Sequence, residues 1–161
     1  MTAPKHRLCI YCGSSTGNKP EFAAVARDLG RTMAEAGIGL VYGGGSVGLM
    51  GEVARAVLAA GGHVTGIIPD FLVSKERMLD GVNELIVTRT MHERKMGMFE
   101  RSTGFVALPG GIGTLEELAA ASGVSGVTLL VDSGHAMASV TNSFPPGKPM
   151  MDILTGRVNL A

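Results

Sequence analysis

The sequence carries no surplus of charge of either sign: Lys and Arg together number 14, and so do Asp and Glu. That balance excludes the broad basic field expected of a protein bound to nucleic acid or an anionic membrane surface. Long apolar runs are also missing. Apolar residues make up 45% of the chain, yet none of their runs nears the roughly 20 residues that span a bilayer. The opening Met1-Thr2-Ala3-Pro4-Lys5-His6-Arg7 leads into too few apolar residues for a signal-peptide core. The expectation is a cytoplasmic protein with no membrane or nucleic-acid partner. Cysteine is nearly absent. Cys9 and Cys12 form one C-x-x-C, but inside an apolar run, Leu8-Cys9-Ile10-Tyr11-Cys12, that reads as a strand. An offset of three puts the two thiols on opposite faces of a strand. A redox pair needs a helix N-terminus to depress one thiol. A four-cysteine zinc site would need a second pair. His6, His63, His92 and His135 lack metal-ligand spacing, so neither metal nor cofactor is expected.

Glycine is what the chain has in excess, 24 of 161 residues against roughly 7% in an average protein. The glycines gather where apolar runs end, where a backbone must turn sharply or approach a ligand. Strands are predicted at 7–12, 38–42, 63–68, 83–88 and 103–108, and helices at 20–36, 46–61, 90–102 and 114–122. Phe22, Val25, Ala26, Leu29 and Met33 carry the period of the first helix, and Leu49, Val53, Ala56 and Val57 that of the second. Strands separated by helices of this length predict βαβ units: a single-domain α/β fold, a Rossmann-like parallel sheet with helices on both faces. Its nearly all-apolar strands suit a sheet covered on both sides. Ligands of such sheets bind at the carboxyl ends of the strands. From Ser122 onward Gly, Ser and Pro dominate. Val127–Val131 is a candidate sixth strand, and the rest is expected to pack irregularly.

Three glycine clusters fall at predicted strand ends. Cys12-Gly13-Ser14-Ser15 offers small hydroxyls and a bare backbone to a phosphate or ribose. Gly43-Gly44-Gly45-Ser46-Val47-Gly48 spells G-x-G-x-x-G between a strand and a helix. A dinucleotide site also wants an acidic residue closing the next strand, and Asp70 comes only after Pro69. With no Walker lysine, a mononucleotide is favoured over NAD(P) or a P-loop ligand. The third cluster, Pro109-Gly110-Gly111-Ile112-Gly113-Thr114-Leu115-Glu116-Glu117, opens a helix, and its amides would face an anion from the helix's positive end. Thr114 and Glu117 also read as a capping box, which leaves the three glycines unexplained. Met91-His92-Glu93-Arg94-Lys95 opens helix 90–102 on the same rim. There Arg94 could grip a phosphate bidentately, although adjacent Arg and Lys also suit a solvated face.

Met91-His92-Glu93-Arg94-Lys95 followed by Pro109–Glu117 resembles the LONELY GUY family of cytokinin-activating phosphoribohydrolases, whose signature is P-G-G-x-G-T-x-x-E. Gly43–Gly51 and Cys12–Ser15 resemble the same family, and the likeness runs from about residue 7 to residue 121. The resemblance implies hydrolysis of the N-glycosidic bond of a nucleoside 5′-monophosphate, AMP or N6-isopentenyl-AMP, by a Rossmann-like homodimer. It makes Glu117 and Arg94 the catalytic candidates. Substrate would be held by Glu76, Lys95, Gly110, Gly111, Ile112, Gly113, Thr114, Leu115, Glu116, Gly44, Gly45 and Ser14. A lysine decarboxylase label, often given to such proteins, finds no pyridoxal phosphate site here. On this reading residues 1–121 form the nucleotide-binding catalytic domain, and 122–161 an atypical tail replacing the usual end of the same domain. The family continues past Glu117 with a threonine–tryptophan segment, a K-P-led strand and a last helix. This chain has no Trp, and its tail reads as unrelated sequence, as a frameshift or altered terminus would give. The alternative is a non-catalytic nucleotide-binding or cofactor-carrier protein of the same fold.

Overall fold

The computed structural model describes residues 3–12, 20–107, 127–132 and 135–140. Strands β1 (Arg7–Tyr11), β2 (Gly39–Tyr42), β3 (Val64–Pro69), β4 (Glu84–Thr88) and β5 (Gly104–Ala107) match the five strands expected from sequence to within a residue or two. Helices α1 (Pro20–Glu35), α2 (Gly48–Ala59) and α4 (Met91–Arg101) match the helices likewise, and α3 (Asp70–Val73) is a single turn with no helical period to reveal it. The candidate helix 114–122 lies outside the described residues. Two further strands follow, β6 (Val127–Asp132) and β7 (His135–Val140).

The strands form one sheet in the order β4-β3-β2-β1-β5-β6-β7. All neighbours are parallel except β6 and β7. The candidate sixth strand is therefore present as β6. Residues 135–140, expected to be irregular, pair antiparallel with it from Val127↔Val140 to Asp132↔His135. Two residues, Ser133 and Gly134, separate the strands, and a short Gly-containing spacer between such runs is a hairpin signal.

Strand parity divides the core. Leu8, Ile10, Leu40, Tyr42, Val64 and Val106 face α1 and α2, meeting Leu29, Met33, Leu49, Val53 and Val57. The alternate residues Cys9, Tyr11, Val41, Ile67 and Phe105 face α4 through Met98 and Phe99. Phe105 stacks on Tyr11 and meets Phe99 edge-on, with centroids 6.2 and 5.6 Å apart. Helices thus cover both faces. Cys9 and Cys12 lie on opposite sides, Cys9 under α4 and Cys12 against the α1–α2 core. Among the described residues no helix is long and apolar enough to cross a membrane.

The start of α4 is fixed by its own side chains. Thr90 Oγ1 accepts from the Glu93 amide at 3.0 Å, and Glu93 Oε2 accepts from the Arg89 amide at 2.9 Å. This is a T-x-x-E capping box in which the glutamate reaches one residue beyond the cap. The Arg89 amide, helped by the Arg89 guanidinium, holds the Glu93 carboxyl below its ordinary range. A depressed carboxyl stabilises the fold above its unfolded pKa of about 4.3, and that contribution disappears as pH falls through the folded value. Thr90→Ala is expected to cost about 1 kcal/mol. The stability gap between wild type and Glu93→Ala should narrow as pH falls from 7 to 3, as denaturant titrations at each pH would show.

Candidate functional site at the carboxyl rim

Because β1 to β5 run parallel, their carboxyl ends form one rim, and the loop after β2 carries Gly43, Gly44 and Gly45 onto it. Arg94 reaches this rim from the first turn of α4. Its side chain is buried, with Nε donating to the Ile67 carbonyl at 2.9 Å and Nη2 to the Gly43 carbonyl at 3.0 Å. The expected solvated face therefore does not apply to Arg94: it is 8% exposed. A guanidinium has five N–H donors, so these two bonds leave others to spare. No carboxylate among the described residues forms an ion pair with it. A buried cation without a counter-charge costs several kcal/mol, and two carbonyl dipoles offset only part of that. The arrangement is a socket that an anion would complete.

A side chain at Gly43 would run into the Arg94 guanidinium and push it off the two carbonyls it holds. Gly44 has φ +84°, the left-handed region, and a Cβ on it would lie 2.6 Å from Met78 Cε. The loop is fastened to the segment after α3, where Gly45 bridges Met78 antiparallel. The Ser46 amide donates to the Arg77 carbonyl at 2.8 Å, and the Leu79 amide to the Gly44 carbonyl at 3.1 Å. Ser46 directs its hydroxyl to the Arg77 carbonyl at 2.9 Å rather than capping α2. The cap position of α2 falls to Val47, which has no side-chain acceptor to give. The first-turn amides of α2 thus lack a side-chain cap at the rim, where the helix dipole favours negative charge.

Glu76 lies in the fastened segment and is half-buried. Its Oε2 is shielded from solvent and has no hydrogen-bond partner among the described residues. It lies 4.0 Å from where a Gly45 Cβ would be, with Met50 Cε 3.0 Å from the same point. Lys95 follows Arg94 on α4 and is half-buried. The structure therefore brings Arg94, Gly44, Gly45 and Glu76 to one corner of the rim. Ser14 and the run Gly110, Gly111, Ile112, Gly113, Thr114, Leu115, Glu116 and Glu117 lie outside the described residues. That run follows β5, which lies two strands from β2 in the sheet, about 10 Å at ordinary strand spacing. Asp70 opens α3 and is exposed.

Two residues with a part in the site were not singled out from sequence. Tyr42, buried at the end of β2, donates its hydroxyl to the Gly45 carbonyl at 3.0 Å. Burial raises its ionisation well above the ordinary tyrosine range, with Cys12 adding and Arg55 opposing, so it remains a protonated donor. Arg55 on α2 donates to the Ser46 carbonyl at 2.7 Å. The signal available for Tyr42 was a polar-tipped aromatic directly before a triple glycine, since buried tyrosine hydroxyls seek a partner.

A parallel sheet covered on both faces, with a glycine loop and a buried arginine at its carboxyl rim, defines a Rossmann-like α/β protein. Residues 50–127 match a family described as "possible lysine decarboxylase". Over 112 residues the chain is 50% identical to a probable cytokinin riboside 5′-monophosphate phosphoribohydrolase of Oryza sativa subsp. japonica, covering 70% of this chain and 46% of that protein. Over the same length it is 51% identical to a cytokinin riboside 5′-monophosphate phosphoribohydrolase of Arabidopsis thaliana, covering 70% and 49%. Over the matched stretch the chain is similar to these phosphoribohydrolases, in line with the resemblance to the LONELY GUY family that its motifs carry. The chain spans about half the length of these curated relatives. Among solved structures, the Moco carrier protein from Chlamydomonas reinhardtii shares the fold with a TM-score of 0.68 and 26% identity, covering 79% of this chain and 76% of that one.

Proposed function

We propose that the protein hydrolyses the N-glycosidic bond of AMP or an N6-modified AMP such as N6-isopentenyl-AMP, giving the free base and ribose 5-phosphate. The observation that carries this reading is the buried Arg94 guanidinium, held by two main-chain carbonyls beside the glycine loop and in want of an anion. In the reaction the bond from the ribose anomeric carbon to the base breaks, and water supplies hydroxyl to the sugar and a proton to the base. Positive charge develops on the ribose as the bond lengthens, and a carboxylate stabilises such charge while orienting water. Glu117, at the last position of the signature, takes that role. Arg94 holds the 5′-phosphate or assists departure of the base. The amides of Gly110, Gly111 and Gly113 and the Thr114 hydroxyl cradle the phosphate, with Ile112 and Leu115 in the same run and Lys95 and Ser14 nearby. Glu116 contacts the ribose hydroxyls, and Glu76 with Gly44 and Gly45 lies towards the base. Homodimeric assembly enters this reading through the family resemblance, and cytoplasmic residence as the expectation from the sequence.

A nucleotide-binding or cofactor-carrier protein without turnover is the second reading, supported by the likeness to the Moco carrier protein. Identity of 50% to the phosphoribohydrolase against 26% to the carrier ranks hydrolysis first. The test is to incubate the protein with AMP and N6-isopentenyl-AMP and chromatograph for free base. Release of base supports the hydrolase. Nucleotide binding without release moves the assignment to the carrier.

A further inference from the structure

Four consecutive carbonyls of the rim loop are each taken by a donor from elsewhere in the chain. Gly43 O accepts from Arg94 Nη2, Gly44 O from the Leu79 amide, Gly45 O from the Tyr42 hydroxyl and Ser46 O from Arg55 Nη1, at 3.0, 3.1, 3.0 and 2.7 Å. A loop tied down in this way offers a ligand its Cα surface and the amides of its glycines, not its oxygens, the Ser46 amide being taken by the Arg77 carbonyl. A phosphate or ribose meeting it is spared the repulsion of four carbonyl dipoles.

Two of the side-chain donors have no chemical part in the proposed reaction. Tyr42 is buried on the α1–α2 face of the sheet. Arg55 lies about two turns along α2, where Glu52 pairs with it at 3.5 Å and with Arg27 of α1 at 3.2 Å. We infer that Tyr42 and Arg55 are positioning residues of the rim site, acting through the Gly45 and Ser46 carbonyls to hold the glycine loop in its ligand-accepting form. The inference rests on the reading of the rim as a nucleotide site. Tyr42 is the inner pin and Arg55 the outer one, steadied by Glu52. Without them the Gly45–Ser46 peptide is held only through the Ser46 amide on the Arg77 carbonyl, and the Ser46 carbonyl loses its side-chain donor, so both oxygens are freer to turn towards the ligand.

The experiment compares wild type with Tyr42→Phe, Arg55→Met, Arg55→Lys and Arg27→Met. The AMP Kd is measured by calorimetry, and KM and kcat for base release are measured well below each variant's Tm. Tyr42→Phe should raise Kd and KM about tenfold, the equivalent of one lost hydrogen bond to a buried carbonyl, with kcat moving much less. Arg55→Met should raise both about threefold, and Arg55→Lys should recover most of that. Arg27→Met breaks the α1 ion pair without touching the loop and should stay within about twofold of wild type in Kd. Unchanged Kd in folded Tyr42→Phe and Arg55→Met would overturn the inference. Should Tyr42→Phe fail to fold, Arg55→Met and its lysine rescue decide. If wild type binds AMP but releases no base, the proposed reaction fails while the Kd series still judges the pins. If wild type does not bind AMP, both fall.

Discussion

Arg94→Ala is expected to lower kcat/KM for AMP by about 10²–10³-fold, the scale for removing one preorganised donor from a developing charge. The same change should weaken the fold. It leaves the Ile67 and Gly43 carbonyls without the donors they have now, and each unsatisfied buried group costs about 1–3 kcal/mol. Arg94→Lys separates the two effects. A lysine is a point charge on a flexible stem and cannot reproduce a planar fork spanning two carbonyls. It should keep part of the affinity for the phosphate, lose the bridge between β3 and the glycine loop, and recover little of kcat. Steady-state kinetics with urea unfolding of the same preparations checks this. An Arg94→Ala protein with wild-type kcat/KM would remove Arg94 from the mechanism.

Glu117→Gln should lower kcat about 10²–10⁴-fold, the range for a positioned acid–base group, while leaving AMP affinity close to wild type. Glutamine keeps the size of the side chain but cannot carry negative charge or take a proton from water. A loss confined to kcat marks an interaction made only in the transition state. The competing account of Glu117 is a helix cap, like the one Glu93 makes with Arg89 and Thr90 at the start of α4. Glutamine also serves at that position of a capping box, so a cap alone would leave both kcat and Tm almost untouched. Single-turnover release of base and thermal unfolding, measured side by side, tell the two apart.

The sheet was legible in the sequence because each central strand is apolar on both faces and each long helix carries a 3.6-residue stripe. The assignment of Leu8 and Ile10 to one face and Cys9 and Tyr11 to the other follows from parity alone. α3 escaped because one turn holds no period, and β7 because its weakly apolar residues acquire strand character only by pairing with β6. The rim's composition was legible in Gly43–Gly45 and Arg94, but its wiring was not. Arg94 bonds to residues 27 and 51 positions away, and no spacing rule reports which carbonyl a guanidinium will find. Tyr42 and Arg55 went unnoticed for the same reason. They serve main-chain oxygens, which every residue has and no motif spells.

The place of β5 beside β1 has a consequence for how the molecule is made. Arg7 and Thr103, 96 positions apart, are bonded at the head of that pairing. β1, α1, β2, α2 and β3 can associate through neighbours as they leave the ribosome, but one flank of β1 stays bare until residues 104–107 arrive. Closing so long a loop is slow, and a bare strand flank invites pairing with other chains meanwhile. β1 thus precedes the other described strands of the sheet yet is completed only after β2, β3 and β4, when Gly104–Ala107 arrives to cover its second flank.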